Sequence, residues 1–124
     1  MHDDALLREI VAQILTAIAR IERRFETIAS PPEDFLKSDE GIDRLDGITM
    51  MLITIGESVK NFERHGGAAY LHTRSTIDWN GVKGIRDILS HHYFDVDAET
   101  IFLICRDRTG ELKRAFLSIS RELG

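Results

Sequence analysis

Residues 86–93 read Arg-Asp-Ile-Leu-Ser-His-His-Tyr, and three of them belong to one kind of chemistry. Arg86 is a permanent cation whose fork of donors suits phosphate oxygens. His91 exchanges a proton near neutral pH, and Tyr93 carries a hydroxyl that donates, accepts or is modified. Together they suit phosphodiester chemistry. On an ideal helix Arg86 and Tyr93, seven apart, share a face with Ser90 close by. Asp87 and His91, four apart, share a neighbouring face, where the carboxylate orients or charges the imidazole. Arg86 and His91 reach one phosphate only if the helix loosens at its end or if the long Arg86 reaches round the turn. The chemistry therefore predicts a helix end near His91. Taken alone, the same residues equally describe a helix terminus with a cation near its negative end and a half-buried tyrosine.

The elements that must position these residues follow from periodicity. Asp3 or Asp4 caps a first helix, whose stripe Leu7, Ile10, Ile14, Ile18, Ile21, Phe25 and Ile28 recurs at spacings of three and four. Ser30-Pro31-Pro32 stops it, because proline lacks a donor and disfavours helix in the residue before it. A second helix begins near Ser38 or Asp39, with the stripe Ile42, Leu45, Ile48, Met51 or Leu52, Ile55, Val59 and Phe62, and Gly66-Gly67 ends it. A loop of roughly ten residues holding Tyr70 and His72 is expected next. Ser75-Thr76-Ile77-Asp78 then caps a third helix that turns Trp79, Val82, Ile85 and Leu89 inward. Asp97 caps a fourth, with Ile101 and Ile104 or Cys105 on its buried face; Arg106–Gly110 interrupts the pattern before a short fifth through Leu112, Ala115, Phe116 and Ile119. No alternation of period two persists, so the predicted fold is all-α, an antiparallel bundle of four to five helices.

Composition sets the outer bounds. The chain has 124 residues, 43% hydrophobic and 30% charged, which predicts a single soluble domain over residues 1–124. No apolar stretch is long enough to span a membrane, and acidic residues at positions 3 and 4 do not suit a signal peptide, so no membrane association and a cytoplasmic location are expected. The single cysteine, Cys105, excludes an internal disulfide and reads as a buried thiol. His2, His65 and His72 lack the spacing of a metal site, and neither a metal nor an organic cofactor is expected. A net charge of −5 argues against a general nucleic-acid coat but leaves room for local positive charge, as where Arg20, Arg23 and Arg24 or Lys83 and Arg86 cluster.

Three linked blocks carry a resemblance. Ile55-Gly56-Glu57-Ser58-Val59-Lys60 resembles the Ile-Gly-Glu-Ala-x-Lys segment of HepT-like HEPN toxins. Ile77-Asp78-Trp79-Asn80-Gly81-Val82-Lys83-Gly84-Ile85-Arg86 is similar to their Ile-Pro-Trp-x-x-Ile-x-Gly-Met-Arg run, and His91-His92-Tyr93-Phe94-Asp95-Val96-Asp97 to their His-x-Tyr-Phe-x-Val-Asp. The likeness covers roughly residues 42 to 104. Departures are small: Ser58 for the usual Ala, Asp78 for Pro, and Asp87 where the family often has Asn.

The resemblance implies the toxin of a type VII-like toxin–antitoxin pair: a metal-independent endoribonuclease acting as a homodimer, with its two Arg-x4-His-x-Tyr motifs facing each other at a cleft. It implies Arg86 and His91 as the catalytic pair, with Asp87, Ser90 and Glu57 in supporting places. The implied partners are an RNA substrate (tRNA or mRNA) and a minimal, MNT-type nucleotidyltransferase that silences the toxin by AMPylation of Tyr93. The residues themselves leave other readings open. Glu57 also reads as a solvated or locally paired carboxylate, Trp79 as a core or dimer anchor, and the whole chain as a non-catalytic HEPN-like nucleotide- or RNA-binding module or a helical adaptor. Gly56, mid-helix, is expected to mark the close approach of another helix, since glycine there otherwise costs about 1 kcal/mol.

Overall fold

A computed structural model describes residues 3–26, 32–91 and 98–124, and of Pro32, Ile88, Ser90 and His91 only the backbone. Ile28, Ser30, Pro31, His92, Tyr93 and Asp97 lie outside the described residues, and so does the helix end expected near His91. The described chain is all-helical and contains no strand. Its elements are α1 (Asp4–Glu26), a short 3₁₀ turn (Pro32–Phe35), α2 (Asp39–Phe62), α3 (Ala68–His72), α4 (Trp79–His91), α5 (Ala98–Asp107) and α6 (Thr109–Leu123).

Caps form where short polar side chains precede the apolar stripes. The Asp3 carboxylate accepts from the backbone N–H groups of Ala5 and Leu6 at 3.0 and 3.3 Å. Ser38 Oγ accepts from Gly41 N, and Asp78 Oδ1 from Gly81 N, each at 3.0 Å. Behind these caps the α1 stripe Leu7, Ile10, Val11, Ile14, Ala17, Ile18 and Ile21 is buried. It packs between α2 and α6, whose Phe62, Phe116 and Ile119 are fully enclosed. The α1–α6 pair is antiparallel: Arg8 reaches the Leu123 carbonyl at 3.1 Å, and Lys113 reaches Glu22 at 3.2 Å.

Three expectations need correction. Ile42 is 40% exposed, and the buried stripe of α2 starts instead at Gly41, tucked against the carbonyls of Asp34 and Phe35, then continues through Leu45, Ile48 and Leu52. Gly66-Gly67 breaks the helix without starting a long loop. Gly66 takes φ 103°, which only glycine adopts freely, and the kinked turn Glu63–Gly67 hands the chain directly to α3. Arg106–Gly110 is not an interruption of five residues, because α5 and α6 are separated by Arg108 alone. The Arg108 N–H still donates to Ile104 O at 2.9 Å, and buried Thr109 donates its hydroxyl to Cys105 O at 2.8 Å.

Helix α4 lies antiparallel on α2 and is anchored at its start. Trp79 donates Nε1–H to the Leu71 and Arg74 carbonyls at 3.0 and 3.1 Å, and its ring meets Phe116 edge-on at 5.7 Å. Its Leu89 is buried, while Val82 and Ile85 are partly buried against the same core. Trp79 is thus a packing anchor within the chain. A cleft of about 300 Å³ behind α4 is lined mainly by Leu52, Ile55, Ile77, Val82, Ile85 and Leu112. Among the described side chains of the candidate site, Glu57, Arg86 and Asp87 do not line it.

Candidate active site

Gly56 sets the distance between α2 and α4. A β-carbon there would stand 2.7 Å from the Val82 carbonyl oxygen and 3.0 Å from Ile85 Cγ2, so only glycine lets the two backbones approach this closely. The next residue, Glu57, therefore faces α4 at short range. Its Oε1 takes a hydrogen bond from Arg86 Nη1 at 3.2 Å and an ion pair from Lys60 Nζ at 3.6 Å. A second crossing lies just past the end of α2, at the start of the kinked turn, where Lys83 Nζ reaches both oxygens of Glu63 at 2.9 and 3.0 Å.

The two crossings differ in exposure. The Lys83 side chain is 21% exposed and chelated by one carboxylate, which fits a tether between helices. The Arg86 side chain is 58% exposed, which leaves its guanidinium open to an incoming anion. The Arg86 hydrogen bond holds the Glu57 carboxyl below the ordinary carboxylate range; desolvation opposes it, and the charges of Lys60 and Arg86 add smaller help. Glu57 is thus a carboxylate at neutral pH, with two cations around it.

Among the residues singled out from sequence, Arg86 and Glu57 come together, and Asp87 is exposed on the same helix. Ser90 and His91 are placed by backbone only, as the last two described residues of α4, and Tyr93 lies outside the described residues. The Lys83–Arg86 pair expected as local positive charge is matched by Glu63 and Glu57. Arg20 and Arg23 are exposed, while Arg24 lies over Gly47 and donates to the Arg20 carbonyl at 3.2 Å. Lys60 had no assigned place; its three-residue spacing from Glu57 on α2 was the available signal. Among the described residues no group of three His, Cys, Asp or Glu side chains is gathered around a common point. No described helix is long and apolar enough to cross a membrane.

The helical bundle thus presents Arg86 on α4, braced by Glu57 on α2. The sequence matches the family profile described as "Ribonuclease HepT-like" over residues 14–119. The chain belongs to that family, and with it to ribonucleases in general. No solved structure matches the chain.

Proposed function

We propose that the protein is a metal-independent endoribonuclease, the toxin of a type VII-like HEPN/MNT toxin–antitoxin pair, folded as one domain over residues 1–124 and active in the cytoplasm as a homodimer. The family match over residues 14–119 carries this reading. The exposed Arg86 guanidinium, braced on α2 by Glu57, gives it chemical support.

In the proposed reaction the ribose 2′-oxygen attacks the adjacent phosphorus and the bond from phosphorus to the 5′-oxygen breaks. The products are a 2′,3′-cyclic phosphate and a 5′-hydroxyl. One neutral imidazole takes the 2′-hydroxyl proton, and one protonated imidazole delivers a proton to the departing 5′-oxygen. A single chain contributes one His91, so the two protomers of a dimer supply the pair. Arg86 stabilises the charge that builds on the phosphoryl oxygens. Asp87 serves as an orienting or charging group for His91 and Ser90 in a supporting place, while Glu57 holds Arg86 in place. The partner is a minimal nucleotidyltransferase that attaches AMP to Tyr93, adding bulk and negative charge near Arg86 and so excluding RNA.

The test is end-group analysis of RNA treated with the purified chain in EDTA. Cyclic phosphate ends, lost in Arg86→Ala and His91→Ala, are expected. Ends bearing a 3′-hydroxyl, formed only with a divalent ion, would contradict the reading, and an absence of scission by the wild type would favour the binding module. For the regulation, co-expression with a cognate MNT-type nucleotidyltransferase is expected to add an AMP-sized mass increment that maps to Tyr93.

A further inference from the structure

The cations around Glu57 have a use beyond bracing the helices. Lys60 Nζ and Arg86 Nη1 address the same oxygen, Oε1, at 3.6 and 3.2 Å. The two heads can therefore be no further apart than these distances laid end to end, close enough for both to meet one short stretch of RNA backbone. Both side chains remain partly open to solvent, 35% for Lys60 and 58% for Arg86. An ammonium carries three donors and a guanidinium five, so one contact to Glu57 leaves each head donors for another anion. Lys83 is different, with its ammonium held by both oxygens of Glu63.

We propose that Lys60 is a second phosphate-binding residue, which together with Arg86 grips two successive phosphates of single-stranded RNA while Glu57 holds the two heads at fixed spacing. The proposal rests on the ribonuclease reading above and deepens it by naming the substrate: a strand with at least one phosphate beside the scissile one. Two bare cations this close would repel each other. A carboxylate between them removes that cost and leaves the group with one net positive charge. Gly56 makes the arrangement stiff, because it lets the α4 backbone rest directly on α2 one residue before Glu57.

Two measurements test it. Binding of a hexaribonucleotide to the His91→Ala protein is followed against salt, with and without Lys60→Gln. Losing one phosphate contact to a single strand is expected to reduce the slope of log affinity on log salt by about 0.7. Cleavage by otherwise wild-type protein is then compared on a trinucleotide with two phosphates and a dinucleotide with one. Lys60→Gln is expected to lower the trinucleotide-to-dinucleotide ratio of kcat/KM by about tenfold, the cost of one charge-assisted contact, and Lys60→Arg to restore it. An unchanged slope together with an unchanged ratio would overturn the proposal. Wild-type protein that cleaves no RNA would instead remove the ribonuclease reading, and the salt slope would still decide whether Lys60 meets a phosphate.

Discussion

Glu57 and Cys105 show how differently two ionisable side chains are placed. Glu57 is an exposed-edge carboxylate stabilised in its charged form by Arg86. Pairs this open contribute little to stability, so Glu57→Gln is expected to leave the melting temperature nearly unchanged. It should lower kcat/KM for RNA about severalfold by releasing the guanidinium from its fixed position. A large loss of stability on that substitution would show the pair to be structural instead. Cys105 is the opposite case: burial in the α5–α6 junction pushes its thiol from 9.0 up to about 12. The unfolded chain therefore ionises this thiol first, and the neutral, folded form loses relative stability as pH rises from about 9 towards 12. Below that window the contribution is fully present. Urea unfolding at pH 8 and pH 10.5 should show a steeper alkaline loss for wild type than for Cys105→Ala, and equal losses would contradict the burial argument.

Among the elements, the α2–α4 contact matters most, because it carries Arg86. Gly56→Ala would gain helix propensity, yet its methyl would press on the Val82 backbone carbonyl, which cannot swing away as a side-chain tip can. A net destabilisation of about 1–3 kcal/mol is expected, with a fall in RNA cleavage larger than the stability loss alone would cause. Thermal melts and initial rates on one preparation check both, and a stabilised, fully active variant would refute the close-packing account. This contact was partly legible beforehand: a glycine in mid-helix without a turn role implies a neighbour, and the neighbour is α4. The caps were legible to within a few residues, as short polar side chains just ahead of an apolar stripe: Asp3 rather than Asp4, Ser38 rather than Asp39, and Asp78 within 75–78. Failures came where tertiary contacts override local pattern. Ile42 fits the stripe numerically, but Gly41 is the residue that fits beneath Asp34 and Phe35. Gly110 and its polar neighbours look like a loop, yet the backbone hydrogen bonds of Arg108 and the Thr109 hydroxyl carry the helical path across. Which glutamates meet Lys83 and Arg86 was not readable at all, because it depends on the register of α4 against α2.

At the scale of the whole molecule, a net charge of −5 is compatible with RNA binding only if the positive groups are concentrated and their acidic partners leave them accessible. The open Arg86–Glu57–Lys60 group meets that condition on one face of the bundle, and the proposed dimer doubles it. Light scattering on the purified protein is expected to give twice the 14.1 kDa chain mass. Because one chain brings one motif histidine, the account stands or falls on both protomers contributing to a single cleavage. The direct measurement is subunit mixing: wild-type and His91→Ala protomers are exchanged to equilibrium at varied ratios, and RNA cleavage in EDTA is followed. Activity falling as the square of the wild-type fraction is predicted, since only dimers with two imidazoles hold both a base and an acid. Activity falling in direct proportion to that fraction would mean that each chain cleaves RNA alone, contrary to the mechanism.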